Sequence, residues 1–296
     1  MSGNGFEYES EPKETVKSCN NCGWERFEPF AERDRYGLPV KTVRCTGCAL
    51  VFINPRMVDD GYRRFYADGH YRTLLTKFYG KPILPSTMKH SQELYAEALA
   101  AYLEPWLTKR TATSVLDVGG STGIVAGTMA RRFGLAGTVL DPAESELALA
   151  SKAGLATILG TAEGFEPDGQ RWGLVLLCQV VDHLLDIRGT LAKLRNAVAP
   201  RGLFYMDIAC FDELDVKQRL PDQKLKAKHQ FSVGKLPEKL VKVDHPYCLG
   251  RAHAKSYLDR AGFEVVSQSK GPLTYQVGYL CRRREGRGAN GTDGPG

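Results

Sequence analysis

The chain has 296 residues, 43% of them hydrophobic and 25% charged, with a formal net charge of +6. That composition suits a soluble globular protein, and no apolar run is long enough to span a bilayer. The length allows one large domain, or a medium domain with a small module beside it. Residues 1–18 are polar, with neither the apolar core nor the cleavage pattern of a secretion signal, and read as a disordered tail. The expected setting is therefore cytoplasmic and reducing.

Two C-x-x-C pairs come next, Cys19 with Cys22 and Cys45 with Cys48, separated by 22 residues. Paired knuckles of this kind point to a tetrahedral zinc site, here within a small ribbon over residues 19–56. A reducing setting disfavours disulfides as the alternative. Gly23 and Gly47 suit the tight turns. Four filled thiolate positions imply a structural metal, not a catalytic one. Cys178, Cys210, Cys248 and Cys281 stand singly and read as buried thiols.

An apolar strand follows, Ala49 to Ile53, ending in Asn54-Pro55-Arg56. Phe65, Tyr66 and Tyr71 then make an aromatic segment that either packs the ribbon onto its neighbour or caps a pocket. Pro82 and Pro85 punctuate a linker, and Ser86 can cap a helix running to about Trp106. Residues 57–110 are thus expected to form a linker and helical cap.

Ser114 to Gly123 reads as a strand, a glycine-rich turn and the start of a helix over Ile124 to Phe133. Backbone N–H groups at such a turn approach a ligand closely and favour anions. The spacing is D-x-G-x-x-x-G, on Asp117, Gly119 and Gly123, and a second strand, Thr138 to Asp141, ends in another acid. An acid at that point fits a doubly wound sheet, where it meets ribose hydroxyls. These motifs resemble those of class I S-adenosylmethionine-dependent methyltransferases, and the knuckle, N-P-R and F-Y segments resemble a subgroup with an N-terminal zinc ribbon. The resemblance runs from about Cys19 to Arg282.

The resemblance implies an α/β fold, a Rossmann-like seven-stranded sheet, mainly parallel with its last strand antiparallel, over residues 111–282. It implies that S-adenosyl-L-methionine is held by Asp117, Gly119, Gly120, Ser121, Thr122, Gly123, Asp141, Pro142, Thr161, Ala162, Glu163 and Gln179. Lys89 or His90 on the preceding helix would then reach the methionyl carboxylate. Ser121 stands where the family has its middle glycine, and Thr161 where relatives carry an adenine-binding aspartate. A backbone amide at Ala162 is left to read the ring.

The third and fourth strands are expected at Ala156 to Leu159 and Gly173 to Cys178. The fourth leads into Asp182-His183, at the carboxyl edge where open sheets place ligands. His183 is a candidate base, with Asp182 as its orienting carboxylate, and His245 is a second candidate reaching the site from the acceptor side. His229 is a third. Leu203 to Ile208 gives strand five. Residues 209–250 form an insertion whose stretch from Lys217 to Lys242 carries eight basic residues against Asp222 and Glu238. Such charge attracts an anionic or carrier-linked small-molecule acceptor, with RNA as the alternative, or it is a solvated lid. A helix over Arg251 to Ala261 and strands at Phe263 to Gln268 and Thr274 to Arg282 close the domain, and residues 283–296 read as a disordered tail.

The function implied is methyl transfer to a small molecule, most simply to an oxygen of a sugar or other biosynthetic intermediate. An RNA methyltransferase lacks the basic-aromatic platform it would need. A non-enzymatic zinc-ribbon adaptor is opposed by the intact acid and glycine set.

Overall fold

In the computed structural model the residues described are 6–107, 112–209, 241–270 and 276–284. His229, Cys210, most of the basic insertion and nearly all of the C-terminal tail lie outside them.

A seven-stranded sheet forms the centre. Its parallel strands are β6 (Ser114–Val118), β7 (Ala136–Asp141), β8 (Ala156–Leu159), β9 (Trp172–Leu177) and β10 (Val198–Ala209). With β12 (Phe263–Ser269) and β13 (Gln276–Arg283) they lie in the order β12-β13-β10-β9-β6-β7-β8. Only β13 runs against the rest, pairing antiparallel with both β10 and β12. The whole of β9 is buried, as a central strand covered on both faces should be. Alternate residues face opposite layers. Val175, Leu177, Phe204 and Met206 pack with the helices α6 (Ile187–Ala197) and α7 (Arg251–Arg260). Leu174, Leu176 and Tyr205 pack with α3 (Pro85–Leu103) and α4 (Ile124–Phe133). The helix α5 (Glu144–Lys152) covers β7 and β8.

The cysteine module is a second sheet of four strands, β2 (Phe27–Ala31), β3 (Thr42–Cys45), β4 (Val51–Ile53) and β11 (Tyr247–Cys248). Its last strand comes from the C-terminal end of the 209–250 insertion, so residues 19–56 do not close this sheet by themselves. Gly23, at φ +79°, supplies the left-handed residue of the first knuckle, but in the second that conformation falls on Ala49 at φ +61°. Gly47 is instead required by space, because a Cβ there would lie 2.9 Å from the Trp24 ring.

The N-terminal stretch departs from the expected loose tail. β1 (Lys13–Glu14) pairs antiparallel with β5 (Arg56–Met57), and Tyr8 is buried among apolar side chains that include Phe65. The aromatic ring gives an otherwise polar segment enough apolar area to dock. Two cap helices follow, α1 (Asp59–Ala67) and α2 (His70–Tyr79), before α3. Pro85 occupies the first turn of α3 and Leu84 its cap position, two residues earlier than the Ser86 cap expected.

Module and core are tied by polar contacts. Arg56 of the N-P-R turn donates to the Leu185 carbonyl at 2.8 Å and to the Tyr247 hydroxyl at 2.9 Å. His253 on α7 bonds the Cys48 carbonyl at 2.8 Å. Asn20, beside the first knuckle, donates to Asp186 at 3.0 Å. Two of these four contacts, those to Leu185 and Asp186, end on the loop that carries Asp182 and His183.

Candidate active site

A cavity of about 570 Å³ opens at the carboxyl ends of β6, β7 and β9. One wall is built by the strand ends and the other by the cap helices and residues 241–245.

On the strand side, Gly119, Ser121, Asp141, Pro142, Thr161, Ala162, Glu163 and Gln179 face the cavity. Gly119 is left-handed at φ +70°, and a Cβ there would come within 2.5 Å of Val180. Asp117, Gly120, Thr122 and Gly123 are not among the lining residues. The Asp117 carboxyl lies beneath the loop, accepts from the Ala126 N–H at 3.3 Å, and would be 2.7 Å from a Cβ on Gly120. It shapes the turn from behind. Burial, reinforced by Asp141 and Asp207, raises its pKa to about 7.

Asp141 accepts the Ser121 N–H on one oxygen and the Ala143 N–H on the other, both at 2.9 Å. Burial raises its pKa to about 6 against the lowering pull of those two donors. Thr161 is turned into its own loop, accepting from the Gly164 N–H at 3.1 Å, and Glu163 accepts from the Leu185 N–H at 2.8 Å. Thr161 and Ala162 both line the cavity.

Lys89 and His90 do not line the cavity; Met88, Ser91, Gln92 and Tyr95 of α3 do. The helix phase brings forward residues three and four apart, and Lys89 turns outward toward Glu93 at 3.8 Å. Tyr95 donates to Asp207 at 2.6 Å, and Asp207 also accepts from the left-handed Gln179 N–H at 2.6 Å. This buried contact fixes the exit of β9. Arg72 on α2 donates to Glu146 on α5 at 2.8 Å, clamping the cap over the Asp141 side.

The opposite wall holds the histidines. His183 sits in a short helical turn, Val181–His183, and His245 in a turn closed by its own N–H on the Lys242 carbonyl at 3.0 Å. Their ring centroids are 4.4 Å apart. Nδ1 of His245 is 2.6 Å from Asp182, close enough for an ion pair although the N–H is not well aimed at the oxygen. Its Nε2 is 3.1 Å from the Lys242 amine and 3.4 Å from Asp244. Burial alone would raise the pKa of Asp182, but the neighbouring His245 holds it well below the usual carboxylate range. Burial, helped by His245, lowers that of His183 to about 4. The sequence brings Asp182, His183 and His245 to notice and offers Tyr66 as one of three aromatic residues that cap a pocket or pack the ribbon, but it gives no sign that Tyr66, Lys242 and Asp244 meet the histidines, as they do here. Tyr66 and Tyr71 line the cavity while Phe65 is core, so both readings of that aromatic segment hold in part.

The four cysteine sulfurs lie within 4.8 Å of one another, with Cys19 and Cys48 at 3.7 Å and Cys22 and Cys45 at 3.5 Å. A tetrahedron with metal–sulfur bonds of about 2.3 Å has edges of about 3.8 Å, so the set fits one zinc ion.

The family described as a methyltransferase domain matches residues 88–268. The chain belongs to that family. Over 100 residues it is 34% identical to a ubiquinone biosynthesis O-methyltransferase of Methylobacterium nodulans, a match covering 32% of this chain and 40% of that protein. The chain thus spans about two fifths of the length of this curated relative. Among solved structures it is similar to an S-adenosylmethionine-dependent methyltransferase of Leishmania major. That likeness has a TM-score of 0.55 and 16% identity, and covers 86% of this chain and 97% of the other. It is similar also to the magnesium protoporphyrin IX methyltransferase of Synechocystis, solved with S-adenosylhomocysteine, at TM-score 0.50 and 15% identity over 74% and 96%. At these identities the likeness is one of fold. No helix among the described residues is long and apolar enough to cross a membrane.

Proposed function

We propose that the protein methylates an oxygen of a small-molecule acceptor, such as a sugar or another biosynthetic intermediate, with His183 as the base. The observation that carries this reading is a single cavity with the Asp141 and glycine-loop wall on one side and the His183 and His245 wall on the other. S-adenosylmethionine supplies, when bound, a methyl group already activated by its sulfonium. Asp141 would accept its ribose hydroxyls, the Gly119 to Ser121 turn would admit its aminoacyl end, and Thr161 and Ala162 would meet the adenine through backbone groups. The buried carboxylates behind that wall suit a ligand with cationic groups. Tyr36, Tyr62, Tyr66, Tyr71 and Tyr79 line the remaining space, flat faces with hydroxyls that suit a hydroxylated ring. The curated relative is named for O-methylation, which agrees.

The chain's part is alignment, exclusion of water and removal of one proton. The cysteine module would hold a structural zinc and brace the His183 loop through Arg56 and Asn20. Incubation with nucleotide-linked sugars and methyl-labelled cofactor tests the reaction: label should appear as an O-methyl group, and label found on nitrogen or carbon would overturn the oxygen assignment.

A further inference from the structure

His183 and His245 are equal candidates by position, but their hydrogen bonds are not equal. The Tyr66 hydroxyl lies 2.7 Å from Nδ1 of His183 and 2.7 Å from the carbonyl oxygen of Asp244. A carbonyl can only accept, so the one phenolic proton goes to Asp244. The Tyr66 oxygen then has only lone pairs to offer, and Nδ1 of His183 must bring the proton to that contact. Tyr66 keeps its own proton because burial pushes its pKa well above the ordinary tyrosine value. Nε2 of His183 is consequently bare, and it makes no hydrogen bond among the described residues.

His245 is committed at both nitrogens. Nδ1 lies 2.6 Å from an Asp182 oxygen, where two lone pairs would repel, so it carries the proton of this ion pair although the N–H is not aimed along the contact. Nε2 faces the Lys242 amine at 3.1 Å, and one proton has to lie between those two nitrogens whichever of them owns it. No lone pair of His245 is open.

We propose that Tyr66 is a positioning residue that holds His183 as its Nδ1–H tautomer, so that Nε2 of His183 is the one open imidazole lone pair among the described residues of this wall, and His245 serves as the ion-pair partner of Asp182 and Lys242. This rests on the reading of His183 as the base. In the transfer step the acceptor oxygen forms its bond to the methyl carbon as the carbon–sulfur bond breaks and leaves its electron pair on sulfur. The hydroxyl proton moves to Nε2, and the resulting imidazolium keeps its Nδ1–H on Tyr66. Asp182 and Asp244 oppose the new charge favourably, while His245 and Lys242 oppose it unfavourably. The proton then leaves to solvent with product.

The test is histidine heavy-nitrogen NMR on the full chain with S-adenosylhomocysteine added, reading the tautomer of His183 from long-range proton–nitrogen correlations. The wild-type protein should show Nδ1 protonated and Nε2 bare, and Tyr66→Phe should shift His183 toward a mixture of both tautomers without altering S-adenosylhomocysteine affinity. A wild-type spectrum with Nε2 protonated overturns the proposal, and this holds even if the variant fails to fold. A Tyr66→Phe spectrum unchanged from wild type also overturns it. The base reading fails separately: should His183→Ala turn over normally in a protein with the expected tautomer, the positioning by Tyr66 stands and the role of the base does not.

Discussion

Replacing Asp141 with asparagine keeps the shape of the side chain and removes its charge, and the structure sets what that costs. Each carboxylate oxygen accepts one backbone N–H at 2.9 Å, from Ser121 and from Ala143. In asparagine one of those oxygens becomes an NH₂ group facing a donor, so one backbone N–H loses its acceptor and the loop at Ser121 or Ala143 shifts. The ribose contact loses its charge as well. A lost charged hydrogen bond or an unsatisfied buried donor costs about 1–3 kcal/mol, which weakens cofactor binding about 5- to 150-fold. The pH dependence is a sharper sign. Burial raises the Asp141 pKa to about 6 in the free protein, so below that pH a proton must leave before the carboxylate can accept from a diol. Wild-type affinity should therefore fall toward acid by up to about tenfold per pH unit from this group, and Asp141→Asn should lose that part of the slope. Calorimetry with S-adenosylhomocysteine across this range, on protein shown to be folded, reads both effects. Unchanged affinity together with an unchanged slope would refute the assignment.

Other variants test other parts. Cys45→Ser should abolish the bound zinc seen by elemental analysis and lower the melting temperature; a folded protein purified without chelator and free of zinc would contradict the metal assignment. Gly123→Ala meets a left-handed φ of +77° and a Leu155 carbon 2.5 Å from the new Cβ. It should cost about 2–4 kcal/mol in denaturant unfolding, from backbone strain plus overpacking. His183→Ala should slow turnover about 10²–10⁴-fold with cofactor affinity retained. Because burial lowers the His183 pKa from 6.5 to about 4, its neutral form persists to low pH, so the acid limb of kcat at saturating cofactor should fall near the lower value.

Local patterns read directly from the chain. The helix at Ile124 to Phe133 and the strand at Ala156 to Leu159 have the bounds their residues suggest, because glycines and apolar periodicity mark both ends. The paired knuckles likewise lead to four sulfurs in one cluster. The second wall of the cavity is different in kind. Tyr66, His183 and Asp244 are joined across 117 and 178 positions of sequence, and no local pattern encodes that meeting. Asp117 follows the motif in type but faces the underside of its loop, since the strand's alternation turns its side chain away from the cavity. Lys89 and His90 carry the more suggestive chemistry, yet the phase of α3 presents Ser91, Gln92 and Tyr95 instead. Tyr8 and the β1 pairing show that a polar composition does not make a tail loose when one large ring finds a core.

The most direct measurement is methyl transfer by wild-type protein and His183→Ala side by side, supplied with S-adenosylmethionine carrying an isotope-labelled methyl and a panel of nucleotide-linked sugars. Wild-type protein should convert a panel member to its labelled O-methyl derivative, and the variant should bind the cofactor equally but produce the derivative at least about a hundredfold more slowly. Equal rates for the two proteins, or label that reaches only nitrogen or carbon, would contradict the account.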